Sequence, residues 1–270
     1  MQQRFEAKRA SYDDIAPEYD QHWSVHVREP QQRLTRELGL ERGLRCADLG
    51  CGTGLDTVEM LRTVSPGEVL AVDCSPQMLE TARGHARAAS LSLSTQCSDA
   101  TEFITSSEPA RFDVVTLRFC LGYLDWRSML PRMPRLVRPR GRVGLLTILG
   151  TSAPQAYAVY EELAATVGLS TVMRAGPTTP EEIHEGLRAG GADVLSSWTH
   201  SFRLTFEDGT RLSRFLRVSG IASHPLLDQL APSLAEPLWR GFSSLLDARY
   251  PHGEIPLDFH LAGVVASGAA

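Results

Sequence analysis

The residues best placed to do chemistry lie in CADLGCGTGLD, positions 46–56. Gly50, Gly52 and Gly54 follow a short apolar run. Asp48 precedes the first glycine by two positions, and Asp73 closes the next apolar run, VLAVD. Glycine lacks Cβ and tolerates positive φ, so its backbone can approach a ligand closely. A carboxylate at the end of a second strand can accept hydrogen bonds from both hydroxyls of a ribose. That much suits NAD as well as other nucleosides, and the glycine spacing then separates them. The dinucleotide fingerprint is GxGxxG, with a pyrophosphate at the helix N-terminus. Here the glycines read GxGxG, and Leu55 stands where the third should be. Asp48 is a poor neighbour for pyrophosphate and a good one for a cationic amino-acid head group. The loop therefore suits a nucleoside carrying a positively charged amino acid.

Other reactive side chains are scattered. Tyr123 follows a fourth apolar run. His22 and His26 lie four apart on one helical face, with Trp23 beside them, and would serve as a base and a wall or as exposed polar residues. His224 and His260 are bases in the second half; a lone histidine in LDFHLAGVV also suits a purely structural place. Arg211, Arg214 and Arg217 follow helical spacing and form either an anion site or a solvated face. No third ligand has recognisable metal spacing, so no metal is expected.

The elements that must position these groups alternate. LRCADLG, EVLAVD, LSLSTQC, FDVVTLRF and GRVGLLTIL read as strands. GLDTVEMLRTV and SPQMLETARGHARAA read as helices, the second capped by Ser75 with Pro76 in its first turn. DWRSMLPRMPRLV is helical but interrupted by prolines. Such alternation argues for a parallel sheet with helices on both faces. After Leu149 the rhythm changes: two helical stretches (APQAYAVYEELAATVG and TPEEIHEGLRAGG), a strand (DVLSSWTHSFRLTF), a helical insertion over 224–250 and a closing strand, LDFHLAGVVAS. Aromatic residues of the insertions (Tyr157, Tyr160, Trp239, Phe242, Tyr250) suggest a lid over an apolar pocket. The region before residue 40 is a helical leader.

Bulk composition narrows the partners. The 270 residues, 43% apolar and 22% charged, suit a globular α/β protein. A net charge of −5 disfavours a phosphate-gripping role, so no nucleic acid is expected. Basic residues cluster at Arg132, Arg135, Arg138, Arg140 and Arg142 and read as a solvated helix end. The five cysteines include no CxxC pair, which suggests reduced residues in a cytoplasmic chain. No apolar run reaches membrane-spanning length.

Five segments in order now carry a resemblance. DLGCGTG resembles motif I of the class I S-adenosylmethionine-dependent methyltransferases, and VLAVDCSPQMLETAR their second motif. CSDATEF resembles the adenine-holding segment, FDVVTLRFCLGYLDW their fourth-strand segment, and VRPRG their LRPGG. The leader YDDIAPEYD is similar to the YDxxAxxYD of the quinone-biosynthesis and small-molecule branch. The resemblance is strong over 11–150 and weak over 151–270.

It implies a Rossmann-like, doubly wound, mostly parallel seven-stranded sheet of order 3-2-1-4-5-7-6, its last strand antiparallel, with a helical leader and helical lid insertions. It implies one methyltransferase domain over 1–270, with a leader at 1–40, a cofactor-binding core at 41–150 and substrate-side insertions at 151–270. Asp48, Gly50, Cys51 and Gly52 would line the methionine portion of S-adenosylmethionine, and Asp73 would hold its ribose. Cys74 and Met78 would flank the adenine; Asp99 and the Ala100 N–H would bond it. Arg118 and Phe119 would sit beside the methionine part, with Tyr12 and Tyr19 closing over the sulfonium. Simpler roles stand beside these: Asp99 equally caps a helix, Met78 fills core, Cys51 is structural and the two tyrosines pack a helix onto the sheet. The implied reaction is methyl transfer to a small, partly apolar acceptor, with Tyr123 and His22 as catalytic candidates and S-adenosylhomocysteine as product. A cyclase or pericyclase, or a ligand-holding protein without turnover, would use the same cofactor site.

Overall fold

The computed structural model describes residues 9, 10, 12–166, 176–219 and 232–269. Strands β1 (Arg45–Leu49), β2 (Glu68–Asp73), β3 (Ser94–Cys97), β4 (Phe112–Arg118), β5 (Val137–Ile148), β6 (Val194–Phe206) and β7 (Ile255–Ser267) form one sheet. Their order is β3-β2-β1-β4-β5-β7-β6. β1 to β5 run parallel, and β7 lies antiparallel between β5 and β6. This is the Rossmann-like order the resemblance implied. Parallel neighbours need crossovers, and α2 (Leu55–Val64), α3 (Pro76–Ala88) and α4 (Ala100–Ser106) provide the first three. Strand order reverses at β1 and β4, so a crevice opens at the carboxyl ends of those two strands.

Period-two alternation splits the core. Ala47, Leu49, Val115, Leu117, Val143 and Leu145 face one way, against α4, α5 (Trp126–Met129) and α7 (Pro180–Ala189). Cys46, Val114 and Leu146 face the other way. That second face is covered by the leader helix α1 (Val25–Glu37), α2, α6 (Pro154–Thr166), α8 (Gly209–Val218) and α9 (Pro232–Arg249). A π-helical turn, Asp20–Ser24, leads into α1 and buries Trp23 at 2% exposure. Burying each large side chain of this kind contributes roughly 1.5–3 kcal/mol.

Helix ends follow local chemistry. Ser75 Oγ accepts from the Met78 N–H at 3.0 Å, capping α3 as its sequence suggests. Asp99 caps α4 by accepting from the N–H groups of Thr101 at 2.7 Å and Glu102 at 3.3 Å.

DWRSMLPRMPRLV is helical and interrupted at its prolines, as its sequence suggests: α5 stops at Met129 and 3₁₀ turns follow, with Pro131 and Pro134 in their first turns. Two expectations need correction. β5 starts at Val137 rather than Gly141, because Val137 pairs with Phe112 before a register shift. Tyr160, Trp239 and Phe242 do not line an open pocket. Tyr160 stacks on Phe242 at 4.6 Å and Trp239 meets Phe242 edge-on at 5.6 Å, building a core layer between α6 and α9. The start of the 224–250 insertion lies outside the described residues, and so does His224.

Candidate functional site

The same alternation decides what the crevice floor contains. Asp48 and Thr116 are register partners, and Arg118 follows two residues on. All three share the face of Cys46 and Val114, and they are 2%, 0% and 6% exposed. Buried polar groups need partners. Asp48 Oδ2 accepts from Thr57 Oγ1 at 2.6 Å. Its Oδ1 accepts from Thr116 Oγ1 at 2.6 Å and from Arg118 Nη1 at 3.2 Å. Arg118 Nη2 donates to Thr35 Oγ1 of α1 at 3.2 Å. A buried ion pair holds when its other hydrogen bonds are met, and here one is not: Arg118 Nε has no partner among the described residues. Asp56, in the first turn of α2, accepts from the Gln31 side chain of α1. Burial pushes its carboxyl up to about 6; Arg118 opposes the shift and Asp48 adds to it.

The three loop glycines all have positive φ (65°, 54° and 76°) but for different reasons. A Cβ on Gly50 would lie 2.8 Å from Cys120 Cβ, and one on Gly54 2.5 Å from Ala82 Cβ. These two let backbone close against its neighbours. A Cβ on Gly52 would meet nothing within 4 Å, so its side is open. The Gly52 N–H donates to Asp73 Oδ2 at 2.9 Å, and the Ser75 N–H donates to Oδ1 at 2.9 Å. Asp73 thus fastens the loop through both of its oxygens. Burial raises its carboxyl above the usual range; the Ser75, Gly52 and Cys74 N–H groups oppose that.

The leader segment 12–20 uses its repeated Tyr-Asp pair twice. Each aspartate pins it. Asp13 accepts from Ser75 Oγ at 2.6 Å and from the Gln77 N–H at 3.2 Å. Asp20 accepts from Thr53 Oγ1 at 2.6 Å and from Ser24 Oγ at 2.8 Å. The tyrosines come together: the rings of Tyr12 and Tyr19 are 6.4 Å apart, edge to face. The Tyr12 hydroxyl donates to Tyr123 Oη at 2.9 Å. Burial, then the neighbouring Tyr123, raises both leader hydroxyls well above their ordinary pKa, so they stay protonated donors near neutral pH.

Between leader, loop and floor lies a pocket. Tyr19, Trp23, Ser24 and Gln31 line it from the leader side. Asp48, Gly50, Cys51, Gly52, Thr53, Leu55 and Asp56 line it from the loop and α2, and Arg118 and Phe119 from β4.

Residues 46–141 match a family model described as a methyltransferase domain. A trans-aconitate 2-methyltransferase of Methylobacterium radiotolerans is 26% identical over 229 residues, which cover 82% of this chain and 85% of that protein. These matches support a class I S-adenosylmethionine-dependent methyltransferase. A demethylmenaquinone methyltransferase of Staphylococcus aureus is 33% identical over 136 residues, 48% of this chain, and the chain spans only 55% of that relative. Among solved structures, the [4+2]-cyclase SpnF shares the fold with a TM-score of 0.58 at 18% identity, over 90% of this chain and 81% of that one.

Of the expected site residues, Tyr19, Asp48, Gly50, Cys51, Gly52, Arg118 and Phe119 line this pocket, Asp73 is bonded to Gly52, and Tyr12 and Tyr123 join through the Tyr12 contact with Tyr19. Asp99 and Ala100 start α4 at the end of β3, and Asp99 is already engaged as a cap. Met78 is 1% exposed, as a core-filling side chain would be. His22 is not among the pocket-lining residues; its ring faces Glu18 at 3.4 Å. His26 packs edge-on against Phe215, and His260 bonds Ser201 Oγ at 2.9 Å. Arg211 and Arg217 pair with Glu207 and Glu236. Sequence reasoning missed Gln31, Thr53 and Asp56. Asp56 reads as an ordinary acidic residue in a helix's first turn, and only the α1 contact marks it. Among the described residues no group of three His, Cys, Asp or Glu side chains could hold a metal, and no helix is long and apolar enough to cross a membrane.

Proposed function

We propose that this methyltransferase acts on a small, partly apolar acceptor, of the natural-product, quinone or lipid-like class, and holds its cofactor in the crevice between β1 and β4. When bound, the cofactor supplies an electrophilic sulfonium methyl. The chain supplies alignment and a dry site. The observation that carries this reading is the open side of Gly52, whose N–H is held by the Asp73 carboxylate at the end of β2. Asp73 suits a ribose diol. Cys74, Asp99 and the Ala100 N–H suit the adenine. Buried Arg118 suits a carboxylate, while Asp48 and Asp56 suit an ammonium group. Tyr12, Tyr19 and Phe119 shield the sulfonium.

On the acceptor side, Tyr123 is the catalytic candidate set against the leader tyrosines. Their protonated hydroxyls orient an acceptor oxygen rather than deprotonate it. The curated relatives named for trans-aconitate and demethylmenaquinone support a small molecule over a macromolecule, and the net charge of −5 points the same way. We divide the chain into leader 1–40, cofactor core 41–150 and acceptor side 151–270, and place it in the cytoplasm on the strength of its reduced cysteines.

Turnover with S-adenosylmethionine and a panel of small acids, phenols and quinones tests the reaction. S-adenosylhomocysteine should appear one for one with methylated product. Product without S-adenosylhomocysteine would replace methyl transfer with cyclase chemistry on the same fold.

A further inference from the structure

The pocket floor carries one more acid than base. Asp48, Asp56 and Arg118 all line it. Asp48 and Arg118 pair at 3.2 Å, so their charges cancel. Asp56, in the first turn of α2, makes no ion pair among the described residues. Groups from several elements face it. Gln31 of α1 donates to its Oδ2. Arg118 of β4 acts on it as a positive charge, and Asp48 of β1 and Glu59 of α2 act as negative ones. The Tyr19 hydroxyl of the leader feels its charge in turn. Burial outweighs the cation and the hydrogen bond, so the carboxyl sits at about 6. A second observation points to a ligand. Arg118 is 6% exposed, and its buried Nε has no partner among the described residues. A buried donor left unpaired is costly. One pocket thus presents an unpaired guanidinium N–H and a carboxyl without a cation, the two partners of an amino-acid zwitterion.

We propose that Asp56 takes the ammonium group of the cofactor's amino acid and sheds its proton in doing so, which makes the amino-acid end of the crevice a proton-linked site and leaves the nucleoside end unlinked. This role rests on the cofactor placement proposed above. Only the carboxylate form attracts an ammonium group, so the ligand selects that form. Affinity is therefore full where the free carboxyl is ionised and falls as pH drops through its pKa. With that carboxyl at about 6, about one molecule in eleven is ionised at pH 5 and nearly all at pH 7.5, and the apparent dissociation constant scales inversely with that fraction. Two further titratable side chains stand behind the pocket wall. His85 Nδ1 meets the Thr53 carbonyl oxygen at 2.9 Å, and Asp20 accepts from Thr53 Oγ1 at 2.6 Å. A ligand that keeps the nucleoside but lacks the amino acid separates them from Asp56.

The test is calorimetric titration of the full-length chain between pH 5 and 7.5 with two ligands. One is S-adenosylhomocysteine; the other is 5′-methylthioadenosine, which has the nucleoside and the thioether but no amino acid. S-adenosylhomocysteine should bind about tenfold more weakly at pH 5 than at pH 7.5. At pH 6, heats in buffers of different ionisation enthalpy should show about half a proton released per ligand bound. 5′-Methylthioadenosine should show neither effect. Asp56→Asn should lose both the pH dependence and the proton release. Gln31→Leu, which removes the hydrogen bond that favours the ionised form, should move the midpoint to higher pH. Equal pH dependence for the two ligands, no proton release in the parent, or release that persists in Asp56→Asn overturns the proposal. The two-ligand comparison in the parent decides the matter even where a variant does not fold. Failure of both ligands to bind at any pH overturns the cofactor placement instead.

Discussion

Replacing Asp73 with asparagine isolates the ribose assignment. In the parent each carboxylate oxygen accepts one backbone N–H, from Gly52 and Ser75, both at 2.9 Å. The same carboxylate is what a ribose diol would use. Asparagine keeps the shape but turns an amide N–H₂ toward one backbone donor and loses one acceptor toward the ligand. A hydrogen bond to a charged group contributes about 1.5–3 kcal/mol, so the dissociation constant for S-adenosylhomocysteine should rise about 12- to 160-fold. Part of that loss belongs to the loop, and a second ligand separates it. Calorimetric titration of parent and variant with S-adenosylhomocysteine and its 2′-deoxy analogue forms a double cycle. The parent should bind the deoxy analogue more weakly by a similar factor, and the variant should discriminate little between the two. A variant that discriminates as sharply as the parent would refute the reasoning.

Asp56→Asn removes a carboxyl held at about 6 in the fold against about 3.9 in an unfolded chain. The folded state keeps the proton longer, so wild-type stability falls as pH rises from about 4 through 6. After discounting for partial exposure, the variant should be more stable by about 1–2 kcal/mol at pH 8, and the gap should close toward pH 4 in calorimetric unfolding; a pH-independent gap contradicts this. Gly52→Ala should fold with only the left-handed strain of about 1–2 kcal/mol but lose cofactor affinity at least tenfold in calorimetry. Gly54→Ala, driven into Ala82, should lower the melting temperature more than Gly52→Ala does. Arg118→Met strands buried Asp48 and should cost about 3–5 kcal/mol in urea unfolding. Adding Asp48→Asn should recover much of that, and a single variant within 1 kcal/mol of wild type would show that the ion pair is not needed.

The sheet was legible because its strands are short apolar runs bounded by turn residues, and two crossover helices carry start signals, Ser75-Pro76 and Asp99. The order of strands was not legible from periodicity; it came with the resemblance. Gly50, Gly52 and Gly54 stood out together, yet only coordinates separate the two that relieve packing from the one that opens outward. Asp48 read as a lone carboxylate, because nothing in the sequence shows that alternation on β4 brings Thr116 and Arg118 to it. The Tyr-Asp pairs of the leader were visible, but their division of labour, tyrosines inward and aspartates pinning, depends on helix phase against the loop. Gln31 and Asp56 escaped notice because each is ordinary for a surface helix until the two helices meet. The misread aromatic insertions carry the same lesson: amphipathic helices bearing Tyr160 and Phe242 suit a lid or a core equally well, and packing decides.

The most direct measurement is a crystal structure of the protein grown with S-adenosylhomocysteine. The ligand should lie against the bare side of Gly52, its diol on Asp73, its amino acid toward Arg118 and its sulfur beneath Tyr12 and Tyr19. Density for the ligand at any other place, or that cleft filled by the chain's own side groups while ligand binds elsewhere, would contradict the central claim.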